Sequence, residues 1–321
     1  MKSFQEYLDL VNRAIDAIPY PDAPSQLYEP IAYHMALGGK RIRPVLMLMA
    51  CDAMGGDCSM ALDAAVGLEM FHNFTLLHDD VMDNADVRRG KATVHRRWND
   101  NTAILSGDTM LTIATQYIAR CSNWQVMDLF NKTAIEIYEG QQWDMDYEQL
   151  NDVTVDEYIK MIRLKTSVLL GCALKMGALI ADAGEEQADT LYEAGVNMGL
   201  AFQLMDDMLD VWGDPETFGK EIGGDIMNNK KTYLLINAMR LVKGDDADEL
   251  RHWLNDPYAT RDDKVPAVTA LYERLGVRQL AMDAITHYND LAVEAFNRLK
   301  ISDEDRDAFI ALANRLAGRK Y

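Results

Sequence analysis

After Pro44, apolar residues recur along the chain at three- and four-residue spacing, as they do where helices bury one or more faces. The pattern predicts helices over "RPVLMLMACDAM" (43–54), "ALDAAVGLEMFHNFTLLHDDVMD" (61–83), "GDTMLTIATQYIARC" (107–121), "VDEYIKMIRLKTSVLLGCALKMGALIADA" (155–183) and "QADTLYEAGVNMGLAFQLMDDMLDVW" (187–212). Breaks fall at "GGD" (55–57), "RRGKA" (88–92), "GDPETFGKEIGGD" (213–225) and "NDPYATRDD" (255–263). β-branched alternation bounded by tight-turn dipeptides is nearly absent, and nothing has the composition of a flexible linker. The expectation is ten or more helices in one all-α domain spanning 1–321, a single large helical bundle.

Two of these helices end alike. "AVGLEMFHNFTLLHDDVMDNAD" (65–86) and "AGVNMGLAFQLMDDMLDVWGD" (194–214) both run from small and apolar residues into Asp-Asp-x-x-Asp and then a turn. Acids sit badly at a helix C-terminus, where the macrodipole is negative, and like charges four apart repel. A helix that ends this way is using its aspartates to hold something positive. Asp79 and Asp83 point one way, as do Asp206 and Asp210, whereas Asp80 and Asp207 lie about 100° round and would support from behind. Two facing carboxylate pairs, without His or Cys at ligand spacing, specify a hard oxygen site suited to magnesium. A calcium EF-hand is disfavoured, because its D-x-D-x-D-G loop with a closing Glu is missing.

Composition bears on this in two ways. Apolar residues make up 49% of the chain, enough for a large core, and the net charge is −19 from 51 acidic and 32 basic residues. That balance argues against nonspecific binding to nucleic acid or anionic membrane. Against it, the basic residues collect beside glycines or one another, at "GGKRIRP" (38–44), "RRGK" (88–91), "RLKT" (163–166), "GKEIGGD" (219–225) and "NNKKT" (228–232). Guanidinium and ammonium groups near exposed backbone amides are phosphate-binding chemistry. Together with the aspartates they point to magnesium-bridged binding of more than one diphosphate.

Cys51, Cys58, Cys121 and Cys172 form no close pair and read as buried free thiols of a reducing, cytoplasmic compartment. The acid-bearing N-terminus lacks a signal-peptide pattern, and no run of 18 apolar residues predicts a transmembrane segment. The terminal Arg319 and Lys320 are placed either to cap a diphosphate site or to solubilise the chain end; the second is expected.

In their order, these stretches resemble the trans-isoprenyl diphosphate synthases, or polyprenyl synthetases. "GGKRIRP" looks like their N-terminal basic motif and "HNFTLLHDDVMD" like their first aspartate-rich motif. "RRGKATVH", "GLAFQLMDDMLD" and "GKEIGGDIMNNKKT" come after them as in that family. Two departures, Ala92 for a usual proline and Tyr233-Leu234 after the Lys-x-Thr, affect loop stiffness more than chemistry.

The resemblance implies an isoprenoid synthase fold with a central apolar cavity. It implies a short-chain enzyme joining isopentenyl diphosphate to allylic diphosphates, with three magnesium ions per site when diphosphate is bound, and a homodimer. By similarity Asp79, Asp83 and Asp206 hold magnesium, with Asp80, Asp207 and Asp210 supporting and Asp210 also counted among the ligands. Arg88, Lys165, Thr166, Gln203, Lys220 and Lys230 would bind the allylic diphosphate. Lys40, Arg43, His72 and Arg89 would bind that of isopentenyl diphosphate. Phe74, with the small Thr75 beside it, would floor the cavity and set product length near geranylgeranyl or farnesyl; ordinary core packing fits Phe74 equally. The rivals are a class I terpene cyclase or prenyl-cation lyase, which needs neither "GGKRIRP" nor "RRG", and a non-catalytic regulatory subunit, which typically loses the aspartates. A metal-buffering protein leaves the basic clusters unexplained.

Overall fold

The computed structural model describes residues 1–214 and 222–318. They form an all-α structure whose only strands, among the described residues, are Val87–Arg88 and Lys91–Ala92. The chain divides into two compact units, one of Met1–Asn131, Cys172–Tyr192 and Lys300–Asp305, the other of Lys132–Gly171, Glu193–Leu299 and Arg306–Tyr321.

In the first unit, α1 (Phe4–Asp16) opens on a capping box in which Ser3 and Glu6 satisfy each other's backbone N–H groups. It buries Tyr7, Val11 and Ile15, each four residues on from the last. After α2 (Ser25–Met35), α3 (Ile42–Ala53) is buried without interruption from Pro44 to Cys51. α4 (Leu62–Met82) is buried from Ala64 to Asp80 with few gaps. The short α5 (Val94–Arg97) leads to α6 (Asp100–Ala119), the main partner of α4. The two helices touch at Gly67, where a Cβ would lie 2.7 Å from the Ala114 carbonyl oxygen and 2.8 Å from Ile118 Cγ1. Helix α6 begins earlier than its apolar pattern, because the Asn99 side chain caps it by accepting from Thr102 N.

The break at "RRGKA" is a two-residue hairpin. Arg89 (φ 52°) and Gly90 (φ 74°) both take positive φ, as a type I′ turn requires.

In the second unit, α7 (Trp124–Glu148) contributes its residues from 132 onward. α8 (Val155–Ile162), capped by Thr154 and Glu157, runs through a π-turn, Arg163–Ser167, into α9 (Val168–Ile180), whose residues from Cys172 onward belong to the first unit. At Gly140 a Cβ would lie 2.7 Å from Lys165 Cα, and at Gly199 one would lie 2.6 Å from Ser167 Cα. Hence α7 and α10 (Glu185–Trp212) both press their backbones against the π-turn. α11 (Gly224–Met227), α12 (Tyr233–Leu241), α13 (Asp245–Asn255), α14 (Arg261–Arg274), α15 (Val277–Asn297) and α16 (Asp303–Leu316) complete the described chain. The expected break at 255–263 is shorter than its composition suggested, because Thr260 caps α14 by accepting from Asp263 N.

All four cysteines are free; Cys121 is half-exposed, in contrast to the buried thiol expected from its neighbours. Among the described residues no helix is long and apolar enough to cross a membrane.

Candidate active site

The first aspartate cluster occupies the last turn of α4, with Asp79 half-buried, Asp80 buried, and Asp83 exposed just beyond the helix. The hairpin folds Arg88 back onto this turn. Its Nε is 2.8 Å from both Asp80 carboxylate oxygens, and a terminal nitrogen is 2.7 Å from Oδ1. Burial pushes the Asp80 carboxyl up from its ordinary pKa, and Arg88 pulls against that shift.

The basic loop before α3 divides its cations between two tasks. Gly38 (φ 80°), Gly39 (φ 144°) and Arg41 (φ 48°) turn the chain sharply, so that consecutive side chains point different ways. Arg41 goes inward, donating to Glu69 Oε1 at 2.7 Å and to the Met35 carbonyl at 2.9 Å. Arg43 instead donates to His72 Nε2 at 3.2 Å. Arg89 donates to the Gly38 carbonyl and covers Gly39, where a Cβ would come within 3.1 Å of the guanidinium carbon. Arg43, His72 and Arg89 are thus gathered around one loop, and Lys40 is exposed on it. Burial first, then Arg43, Arg89, Arg88 and Arg41, hold His72 well below the usual histidine range, so the ring is neutral.

One turn before Asp79, Phe74 is buried, its ring 5.6 Å from Phe71 and 4.8 Å from His78. Phe71 in turn meets Phe130 edge-on at 5.1 Å. The Thr75 hydroxyl donates to the His72 carbonyl at 2.8 Å.

In the second unit, Asp207 is buried on α10 and accepts from the Tyr158 hydroxyl at 2.5 Å and from Gln203 Nε2 at 3.2 Å. Burial, helped by the nearby Asp225, holds its carboxyl up at about 7. Gln203 shares its helix face by spacing with Asp206 and Asp210, yet its amide reaches Asp207, and its oxygen accepts from Thr166 at 3.2 Å. Asp206 and Asp210 are half-buried, and Asp210 Oδ2 accepts from the backbone N–H of Asp225 at 3.0 Å.

Lys165 sits in the π-turn, a backbone defect often found at functional sites. It donates to Asp144 Oδ2 at 2.5 Å, and Lys230 Nζ lies 3.6 Å from the same oxygen. Burial opposes the charge on Asp144, but Lys230 and Lys165 outweigh it and hold its carboxyl below the usual range. Asp144 is not among the residues expected from sequence. The signal was present, because it falls on the stripe Ile137, Gly140, Tyr147, all buried, where an acid needs a partner. Lys220 lies outside the described residues, as do Arg319 and Lys320.

The donor chemistry suits magnesium. Asp79 with Asp83, and Asp206 with Asp210, are i, i+4 pairs of hard oxygen donors, while between them Asp80 pairs with Arg88, and Asp207 accepts from Tyr158 and Gln203. Magnesium takes one or two carboxylates and completes its shell with water and phosphate. Among the described residues the one trio of His, Cys or acid side chains with converging donors is Asp52, Asp57 and Cys58. There Lys2 Nζ already lies 3.3 Å from Asp52 Oδ2 and 3.2 Å from Cys58 Sγ, so an ammonium takes the cation's place.

Residues 24–273 match the family model described as Polyprenyl synthetase. A geranylgeranyl diphosphate synthase of Methanosarcina mazei is 43% identical over 233 residues, which cover 71% of this chain and 72% of that protein. A crystal structure of geranylgeranyl pyrophosphate synthase matches with a TM-score of 0.94 and 43% identity, covering 100% of both chains. A polyprenyl synthase of Caulobacter crescentus, complexed with calcium and isoprenyl diphosphate, matches with a TM-score of 0.89 at 28% identity over 99% of this chain and 96% of that one. With most of its length matched, the chain belongs to the polyprenyl synthetase family.

Proposed function

We propose that this short-chain trans-prenyltransferase condenses isopentenyl diphosphate head-to-tail with allylic diphosphates and stops at geranylgeranyl diphosphate. The observation that carries this reading is the placing of diphosphate-binding chemistry beside metal-binding chemistry, with the Arg88 guanidinium 2.8 Å from Asp80 in the middle of the first aspartate motif. The names of the relatives support the product, and the Caulobacter crescentus complex supports a divalent cation with an isoprenyl diphosphate. One family model spans residues 24–273, which supports reading residues 1–321 as a single isoprenoid synthase domain.

In this reading Asp79, Asp83, Asp206 and Asp210 hold magnesium. When bound, magnesium supplies Lewis-acid stabilisation of the charge on departing diphosphate. Arg88, Lys165, Lys220 and Lys230 bind the allylic diphosphate through charge, helped by Thr166 and Gln203. Lys40, Arg43 and Arg89 bind the diphosphate of isopentenyl diphosphate, and neutral His72 offers a hydrogen bond without adding to the local positive charge. The double bond of isopentenyl diphosphate attacks the allylic cation, and the released diphosphate takes the proton. Buried apolar residues such as Phe71 and Phe74 keep water from the cation, and Phe74 limits chain growth. The protein acts as a cytoplasmic homodimer; the exposed Ile104 and Leu105 on α6 are apolar surface that a second copy would cover.

Incubation with isopentenyl diphosphate, an allylic primer and magnesium, followed by product chromatography, tests the reading. Linear twenty-carbon diphosphate is expected, and chelation with EDTA should abolish it. A cyclic hydrocarbon without elongation, or undiminished turnover in EDTA, would overturn it.

A further inference from the structure

Lys264 lies on α14, outside every motif identified in the sequence, and is only 3% exposed. A buried ammonium is costly unless its protons find acceptors. Here Nζ donates to Asn229 Oδ1 at 2.7 Å and to the Met227 carbonyl at 3.4 Å. Asn229 holds left-handed backbone (φ 51°), and its own amide donates to the Leu254 carbonyl at 2.9 Å. The turn is therefore gripped from α14 and from the end of α13.

The same segment is held elsewhere too. Arg261, one turn before Lys264, donates to the Ile222 carbonyl. Asp225 N donates to Asp210 Oδ2 at 3.0 Å, and Lys230 N donates to the Asp225 carbonyl at 2.9 Å. The clamped turn leads directly into Lys230, whose Nζ stands 3.6 Å from Asp144 Oδ2, the oxygen that also takes Lys165. Burial lowers the affinity of Lys264 for its proton, and nearby Asp256 offsets part of that effect.

We infer that Lys264 is a positioning residue for the prenyl transfer reaction: through Asn229 and the Met227 carbonyl it fixes the turn from which Lys230 reaches the allylic diphosphate. The inference rests on the role proposed for Lys230. Lys264 acts through that turn and does not itself touch substrate.

Lys264→Met keeps the volume and removes the charge. It should raise KM for the allylic diphosphate about tenfold, the scale of one hydrogen bond to a charged group, and leave KM for isopentenyl diphosphate unchanged. Asn229→Gly tolerates the positive φ, deletes the same contact from the other side, and should shift the same constant if Lys264→Met folds poorly. In a Lys230→Met background, Lys264→Met should add nothing further, because the two act in series. A lowered Tm with both KM values unmoved, or full additivity with Lys230→Met, would overturn the inference while the role of Lys230 stood. Unchanged kinetics in Lys230→Met alone would remove that role and the positioning with it.

Discussion

Arg88 and Asp80 form a near-symmetric ion pair, with one guanidinium nitrogen 2.8 Å from each carboxylate oxygen, at the point where α4 ends. Asp80 is 2% exposed at its side chain and Arg88 25%, so solvent screens the pair little.

The pair should therefore show strong coupling. Arg88→Met leaves a buried carboxylate without a counter-charge and should cost about 3–5 kcal/mol in urea unfolding. Asp80→Asn in the same chain removes that charge and should restore most of the loss. Simple addition of the two single effects would show that the pair does not act as a unit.

Asp207 gives a pH dependence of stability. Its carboxyl is held at about 7, above the ordinary carboxylate value of about 3.9, so the native state binds its proton more tightly than the unfolded chain does. That contribution is complete at acid pH and is withdrawn as pH rises through about 7. In EDTA, the Tm of wild type minus that of Asp207→Asn should be larger at about pH 5.5 than at about pH 8. His34 and His72, whose charged forms burial disfavours, work in the opposite sense as pH falls through about 6.5. Both proteins carry these histidines, so the difference cancels them. A pH-independent difference would contradict the raised carboxyl.

Neighbouring arginines of the basic loop should behave differently. Arg41 pairs with Glu69 at 2.7 Å, the two side chains 4% and 3% exposed. Glu69→Leu strands the guanidinium and should cost about 3–5 kcal/mol of stability. Arg43→Met should leave Tm nearly unchanged and raise KM for isopentenyl diphosphate. Thermal melts and initial rates on the two variants separate the roles, and equal Tm losses in both would refute the division.

Phe74→Ala should lengthen the product beyond twenty carbons at a cost of about 3–5 kcal/mol of stability, the range for a buried aromatic truncated to alanine. Chromatography of the product beside a denaturant melt reads both. A destabilised variant with unaltered chain length would leave Phe74 as core packing alone, held by Phe71 and His78.

The helices carrying the motifs were readable because burial imposes a three- and four-residue rhythm. That rhythm located α3, α4 and α10 to within a few residues. The meeting of His72 with Arg43 was partly legible, since His72 precedes Asp79 by two turns and Arg43 belongs to a glycine-flanked basic run. Less legible was anything set by a single backbone dihedral. Positive φ at Arg41 decides that this arginine goes inward and Arg43 toward His72, and the string "GGKRIRP" treats both as surface cations. Asp144 and Lys264 were missed for another reason. Their partners lie 21 and 35 positions away, and only tertiary folding brings them together.

The π-turn at Arg163–Ser167 has a consequence for how this helix can change. A wide turn carries one residue more than regular winding needs, which rotates the rest of the helix by about 100°. The half bearing Arg163 and Lys165 and the largely apolar half beyond it, where Lys175 is the one charged side chain, consequently keep separate facings within one continuous element. Trimming a single residue there would re-aim Lys165 or spin the greasy stretch behind it, so the segment should tolerate substitution far better than any change in its length.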